Sequence, residues 1–218
     1  MTFNNCKTGI LAQSYALNVE NVGMTNVDVG IDVAYSPKRD IIIDGNTITA
    51  RKYGIRSGLN EPLHYSSVIR NNEVTITGLG TGTSPVTGIQ LEEPGHGYTP
   101  PPGQTVPQPA GTDGWEVTGN IVTTEKGGRG IQYRNGFSGL LESNEINDEG
   151  QGNDPGEYNG IRIDGTTFSQ VNFNDVTRSA TAGGNAASRA IYSNAGFANG
   201  FTCNCVDNTG VGLQFFDM

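Results

Sequence analysis

One pattern recurs along the chain and limits what it can fold into: an apolar residue, two of any kind, an asparagine, one more, then a second apolar residue. Copies run from Ile43 to Ile48 around Asn46, Ile69 to Val74 around Asn72, and Val117 to Val122 around Asn120. They continue from Leu141 to Ile146 around Asn144, Val171 to Val176 around Asn174, and Phe201 to Val206 around Asn204. After each comes a small residue followed by an aliphatic one: Gly54-Ile55, Gly88-Ile89, Gly130-Ile131, Gly160-Ile161, Ala190-Ile191 and Gly212-Leu213. The stretch Val22 to Val27 reads as a further copy with Thr25 in place of the asparagine, followed by Gly30-Ile31. Gly9-Ile10 belongs to an incomplete first copy. The asparagines step by about 20 to 30 residues, with one step of 48 between Asn72 and Asn120.

Each copy supplies two short apolar strands separated by a corner, and neither strand buries its inner side chains alone. Stacking the copies ~4.8 Å apart pairs every strand with its equivalents above and below. A buried amide at the same corner of every copy hydrogen-bonds to backbone and to the next amide, which predicts an asparagine ladder. The glycine before each aliphatic residue is expected to turn the chain through a positive φ. Variable steps between constant strands place inserted loops at the corners, at 58–67, 78–86, 93–114, 148–159 and 179–189. A β-sandwich of hairpins would not repeat asparagine and glycine-isoleucine in one order. With 32 glycines in 218 residues and only 16% charged residues, the chain is poor in helix formers. The expectation is an all-β fold: one right-handed, single-stranded parallel β-helix over residues 1–218, of about seven to eight rungs, with no long α-helix.

On these repeats the whole chain resembles the right-handed parallel β-helix family, which includes pectate lyases, polygalacturonases, phage tailspikes and many bacterial surface proteins. The last copy, Gly200 to Phe215, resembles rungs of large secreted surface proteins of gliding, Bacteroidota-type bacteria. That resemblance implies an extracellular or cell-surface location, and a rigid stalk or adhesin-like face that binds a polysaccharide, a surface glycan or neighbouring domains of the same long chain. The fold alone names no activity. The alternative it carries is a polysaccharide lyase or glycoside hydrolase working in the same groove. The chain starts inside a rung and stops without a polar cap, so it is expected to be an uncapped piece of something longer.

Composition removes other classes. Thirteen Lys and Arg against 22 Asp and Glu leave a net charge of −9 and a pI near 4.6, which excludes duplex nucleic acid as a partner. No apolar run approaches the ~18 residues of a membrane span. The N-terminus lacks the basic and apolar regions of a signal peptide, so the protein stays inside the cell or has been cut from a longer chain. Cys6, Cys203 and Cys205 make no disulfide framework. They read either as small buried core thiols or, for the last two, as bridges to a following rung. His64 and His96 lie far from every cysteine, and no zinc spacing exists.

Alternation along the second strand of each copy sends the residue after the aliphatic one outward. The resulting column reads Leu11, Asp32, Arg56, Gln90, Gln132, Arg162, Tyr192 and Gln214; its neighbour reads Gln13, Ala34, Gly58, Glu92, Arg134, Asp164, Asn194 and Phe216. Amides, guanidinium forks and a phenol ring suit hydroxyl- and carboxylate-rich ligands. The candidate binding residues are Arg56, Gln90, Glu92, Gln132, Arg134, Arg162, Asp164 and Tyr192, walled on both sides by the inserted loops. A sheet face open to water is polar for that reason alone, so a plain solvated ladder stands beside the binding reading. Glu92 and Asp164 share a column two rungs apart, a spacing just compatible with an inverting carboxylate pair. Arg134 between them equally makes an ion-pair ladder, the favoured reading. Gly95-His96-Gly97 matches a short polygalacturonase motif without its partner motifs. The loop holding Asp148, Glu149, Asp154 and Glu157 offers the oxygen ligands calcium prefers. No other cofactor is expected, and acidic loops are usually just solvated.

Overall fold

The chain winds into a solenoid of three parallel faces, seen in a computed structural model that describes residues 1–13, 16–34, 40–58, 67–79, 85–92, 114–150, 158–179, 188–196 and 198–216. The first face stacks Leu17–Glu20, Ile41–Asp44, Ser67–Arg70, Trp115–Thr118, Leu140–Glu142, Gln170–Asn172 and Gly200–Thr202. The second stacks Thr2–Asn4, the first halves of Gly23–Ala34 and Thr47–Gly58, then Glu73–Ile76, Ile121–Thr124, Glu145–Asp148, Asp175–Arg178 and Cys205–Asp207. The third stacks Thr8–Gln13, the second halves of the same two long strands, then Thr87–Glu92, Arg129–Arg134, Asn159–Asp164, Arg189–Asn194 and Val211–Phe216. All pairings between strands are parallel, and among the described residues there is no helix. This is the right-handed parallel β-helix, with eight strands on its third face among the described residues. The interiors of the five inserted loops, with His64 and His96, lie outside the described residues.

The asparagine ladder runs along the corner between the first and second faces. Asn46, Asn72, Asn120, Asn144 and Asn174 each donate Nδ2–H to the Oδ1 of the asparagine one rung on, at 2.9–3.0 Å, ending at Asn204. The same Oδ1 atoms accept the backbone N–H of the asparagine below. One assignment changes: the Val22 N–H donates to Asn46 Oδ1 at 3.0 Å, so Val22 holds the ladder position of its rung. Thr25 lies three residues on, exposed, where a bulge lengthens the strand.

The source of the sharp turns also differs from expectation. The residue before each ladder position has a positive φ: Asn21, Gly45, Asn71, Gly119, Ser143, Phe173 and Cys203 all lie between 51° and 65°. Stacking imposes this left-handed corner on every rung, so Ser143 and Phe173 adopt it despite the steric cost of a Cβ there. The glycines before the aliphatic residues, by contrast, are inside the wall. A Cβ on Gly54 would lie 2.2 Å from Val74 Cγ1 and 2.7 Å from the Gly88 carbonyl oxygen; on Gly88, 2.2 Å from Val122 Cγ1 and 2.7 Å from the Gly130 oxygen. Each glycine makes room for the second apolar residue of the next asparagine motif. The two halves of the repeat are therefore two sides of one contact.

Inward columns form the core. Ile31, Ile55, Ile89, Ile131, Ile161 and Ile191 stack in register and are fully buried, each contributing roughly 1.5–3 kcal/mol of gross hydrophobic stabilisation. Trp115 and Tyr133 fill wider places; Gly136 and Gly139 leave space for the Tyr133 ring, which a Cβ at either would strike. The apolar filling fails at one corner. On the second face the inward column Ala50, Ile76, Thr124, Asp148, Arg178 ends in a buried ion pair, with Arg178 Nε 3.0 Å from Asp148 Oδ2. The Tyr158 ring lies beside it, 5.8 Å from the Arg178 guanidinium carbon.

Among the described residues the buried Tyr158 hydroxyl has no hydrogen-bond partner. Burial, then the Asp148 charge, pushes its pKa far above the ordinary phenol value. Tyr158→Phe should leave stability at neutral pH unchanged or raise it by about 1 kcal/mol, since an orphan hydroxyl only costs desolvation. Because burial disfavours the phenolate, stability falls as pH climbs past the unfolded phenol's pKa of about 10, and the variant should lose less of it in alkali. Urea titrations at neutral and alkaline pH check both; a neutral-pH loss well over ~1 kcal/mol would show that the hydroxyl has a partner.

The thiols divide. Cys6 is half-buried against the core, whereas Cys203 and Cys205 are exposed on the last rung; all three are free. The core-thiol reading is thus corrected for Cys203 and Cys205.

Candidate ligand-binding face

The register places both outward columns as the alternation requires. Asp32, Arg56, Gln90, Gln132, Arg162, Tyr192 and Gln214 are successive pairing partners on the third face. Ala34, Gly58, Glu92, Arg134, Asp164, Asn194 and Phe216 form the second column. Parallel stacking makes this automatic, because one matched residue per rung sets all the others.

Side chains then pair both between neighbouring rungs and within one rung. Arg56 forks onto both oxygens of Asp32. Arg134 Nη1 is 3.2 Å from the Glu92 carboxylate. Arg162 Nε donates to Asp164 Oδ2 at 2.7 Å, and Gln132 Nε2 donates to the same oxygen at 3.2 Å. Gln132 is almost fully buried and its Oε1 accepts from Arg129 Nη1 at 2.9 Å. The guanidinium carbons of Arg162 and Arg189 lie 5.0 and 5.1 Å from the Tyr192 ring centre, both within cation–π range. A sugar stacking on Tyr192 therefore competes with them.

The candidate acid pair is drawn into this network. Glu92 and Asp164 flank Arg134 in one column, and each gives carboxylate oxygen to a guanidinium. Asp164 keeps one oxygen, Oδ1, buried and without a partner among the described residues. Of the calcium candidates, Asp148 gives Oδ2 to Arg178 and Oδ1 to Thr124 Oγ1 and the Gly150 N–H, at 3.0–3.1 Å. Glu149 is exposed, and Asp154 and Glu157 lie outside the described residues. Among the described residues no three His, Cys, Asp or Glu side chains converge as metal ligands.

Reading alternation found this face but missed a cleft beside it, at the corner between the second and third faces of the first four rungs. The clue present in the sequence was the consecutive pair Arg51-Lys52, whose positions only the register assigns. No protein-family model, curated protein or solved structure matches the chain. Among the described residues no helix is long and apolar enough to cross a membrane.

Proposed function

We propose that the chain is a rigid, non-catalytic β-helix segment of an extracellular, bacterial cell-surface protein, presenting its third face to a polysaccharide or partner. The observation that carries this reading is the unbroken register of Arg56, Gln90, Arg162 and Tyr192, with the nearly buried Gln132 between them and Glu92, Arg134 and Asp164 beside them. Planar donors and acceptors repeat along it at the rung spacing of ~4.8 Å, pre-positioned on a scaffold that has little freedom left to lose on binding. The alternative, a carbohydrate-active enzyme, rests on the shared column of Glu92 and Asp164. The engagement of both carboxylates by arginine weighs against it.

A glycan array followed by calorimetry on the best ligand tests the binding reading. Arg162→Ala with Tyr192→Ala should weaken that binding by about tenfold or more, since charge-assisted contacts contribute ~1.5–3 kcal/mol each. The same change should lower Tm by no more than about 4 °C, because it removes partly exposed pairs worth roughly 0–1 kcal/mol. Undiminished binding would reduce the face to a solvated ladder. Release of new reducing ends or unsaturated sugars from a polysaccharide panel would instead establish the enzyme.

A further inference from the structure

Positive charge gathers in one cleft of this acidic chain. A cleft of about 750 Å³ opens at the corner between the second and third faces, lined by Lys7, Arg51, Lys52, Tyr53 and Arg56, with Asp28 as the one lining carboxylate among the described residues. Four of the thirteen Lys and Arg residues of a chain with net charge −9 thus meet in one concavity. A register irregularity builds it. Val27 pairs with Ala50 but Val29 pairs with Tyr53, so Asp28 alone faces the two cations Arg51 and Lys52. Such a bulge re-aims side chains and is commonly found beside binding sites.

The charges differ in how they are held. Arg51 is tied down, with Nε 2.7 Å from Asp28 Oδ1 and Nη1 donating to Asn26 Oδ1 at 2.8 Å. Its hydrogen bond to Asp28, and after it the fields of Arg51, Lys52 and Lys7, hold that carboxyl below its ordinary pKa. Arg56 is tied to Asp32 and lies over the Tyr53 ring at 5.1 Å. Among the described residues no ion pair engages Lys7 or Lys52, which are exposed on either side of Asp28. On the opposite flank the backbone at Gly78 packs onto the Arg51 carbonyl so tightly that no Cβ fits, and Leu79, Pro85 and Val86 complete an apolar rim.

We infer that this cleft binds an anionic substituent, a carboxylate or a sulfate ester, of a saccharide chain, with Lys7 and Lys52 as its charge-reading residues. The Lys7 and Lys52 ammonium groups, which no ion pair engages among the described residues, supply the counter-charge. The apolar rim of Leu79, Pro85 and Val86 supplies a surface for a sugar ring, since Arg56 already covers Tyr53. The volume falls within the range of small-ligand sites, roughly 300–1,000 Å³. The charge of the rest of the chain repels a dense polyanion such as nucleic acid, whereas an anion on a sparsely charged glycan is seen mainly by the cations within a Debye length of about 8 Å. The saccharide assignment rests on the function proposed above; the cationic cleft stands independently of it.

The test uses the whole chain and four probes: a tetragalacturonate, a sulfate-bearing galactose tetrasaccharide, neutral cellotetraose and inorganic sulfate. One or both acidic tetrasaccharides should bind at least about tenfold more tightly than cellotetraose, and more weakly as salt is raised. Which one binds identifies the substituent as carboxylate or sulfate. Lys7→Ala with Lys52→Ala should abolish that preference at unchanged Tm, and the Lys→Arg pair should retain it. Equal binding of the neutral probe, or undiminished binding by the alanine pair, overturns the proposal. So does inorganic sulfate binding as tightly as the saccharides, which would mark a bare anion site. Because Arg162 and Tyr192 lie outside this cleft, loss in their alanine pair alone would support the face and refute the cleft, and the reverse pattern would do the opposite.

Discussion

Replacing Asn120 by alanine should destabilise the protein by about 3–6 kcal/mol, a large share of the 5–15 kcal/mol that holds a typical domain folded. The Asn120 Oδ1 accepts the Asn72 backbone N–H at 3.0 Å and Asn72 Nδ2–H at 2.9 Å. Its Nδ2 donates to the Ile69 carbonyl and to Asn144 Oδ1, both at 2.9 Å. Asn120 is completely buried, so no water can replace it. Truncation leaves several buried polar groups without partners, each costing about 1–3 kcal/mol. Asn120→Asp should be nearly as harmful, because a carboxylate cannot donate and would set acceptor against acceptor at Asn144. Asn204, at the end of the ladder and only half-buried, should lose about 1 kcal/mol on the same truncation, water taking over its vacated partners. Urea midpoints at constant m give all three values. Equal costs at Asn120 and Asn204 would mean that the ladder is not what holds the corner.

Gly88→Val should prevent folding, and even Gly88→Ala should cost about 2–4 kcal/mol through overpacking. The added Cβ would lie 2.2 Å from Val122 Cγ1 and 2.7 Å from the Gly130 carbonyl oxygen. Neither rung can back away, because strands on all three faces hold it at the pairing distance. The steric reading makes a further prediction: Val122→Ala in the Gly88→Ala background should restore part of the loss, a coupling that a double-mutant cycle would register. Gly58→Ala, where no described residue lies within 4 Å of the added Cβ, should cost little. Ala190 occupies the equivalent of Gly88 near the end of the stack, under a Val206 that is only half-buried, which shows where the restriction relaxes.

Much of this was legible before the structure. Asparagine and glycine-isoleucine in constant order sufficed for the solenoid, the ladder and both outward columns from Asp32 to Gln214 and Ala34 to Phe216. The reason is geometric: in a parallel stack with a side-chain period of two, one matched residue per rung propagates register to every neighbour. The role of the repeat glycines was misread because a local preference for positive φ and a need for space above the chain leave the same residue in the sequence. The positive φ belongs instead to the residue before each asparagine, where Ser143 and Phe173 carry no signature of it. Val22 was overlooked because a valine in the ladder position breaks the pattern that identifies it.

The candidate sites divide along the same line. The chain's own pattern determined the fold, the rung count and which residues share the third face. Tertiary structure alone decided which of them are already paired. It set Arg134 onto Glu92, Arg162 onto Asp164 and two guanidiniums over Tyr192. It turned Asp148 inward to Arg178, and it used one bulge to gather Lys7, Arg51 and Lys52 around Asp28. Periodicity reports the direction in which a side chain leaves the backbone. Its partner is set by side-chain distances along one strand, as for Arg162 and Asp164, by distances between neighbouring rungs, and by where a bulge falls, and none of these leaves a periodic trace.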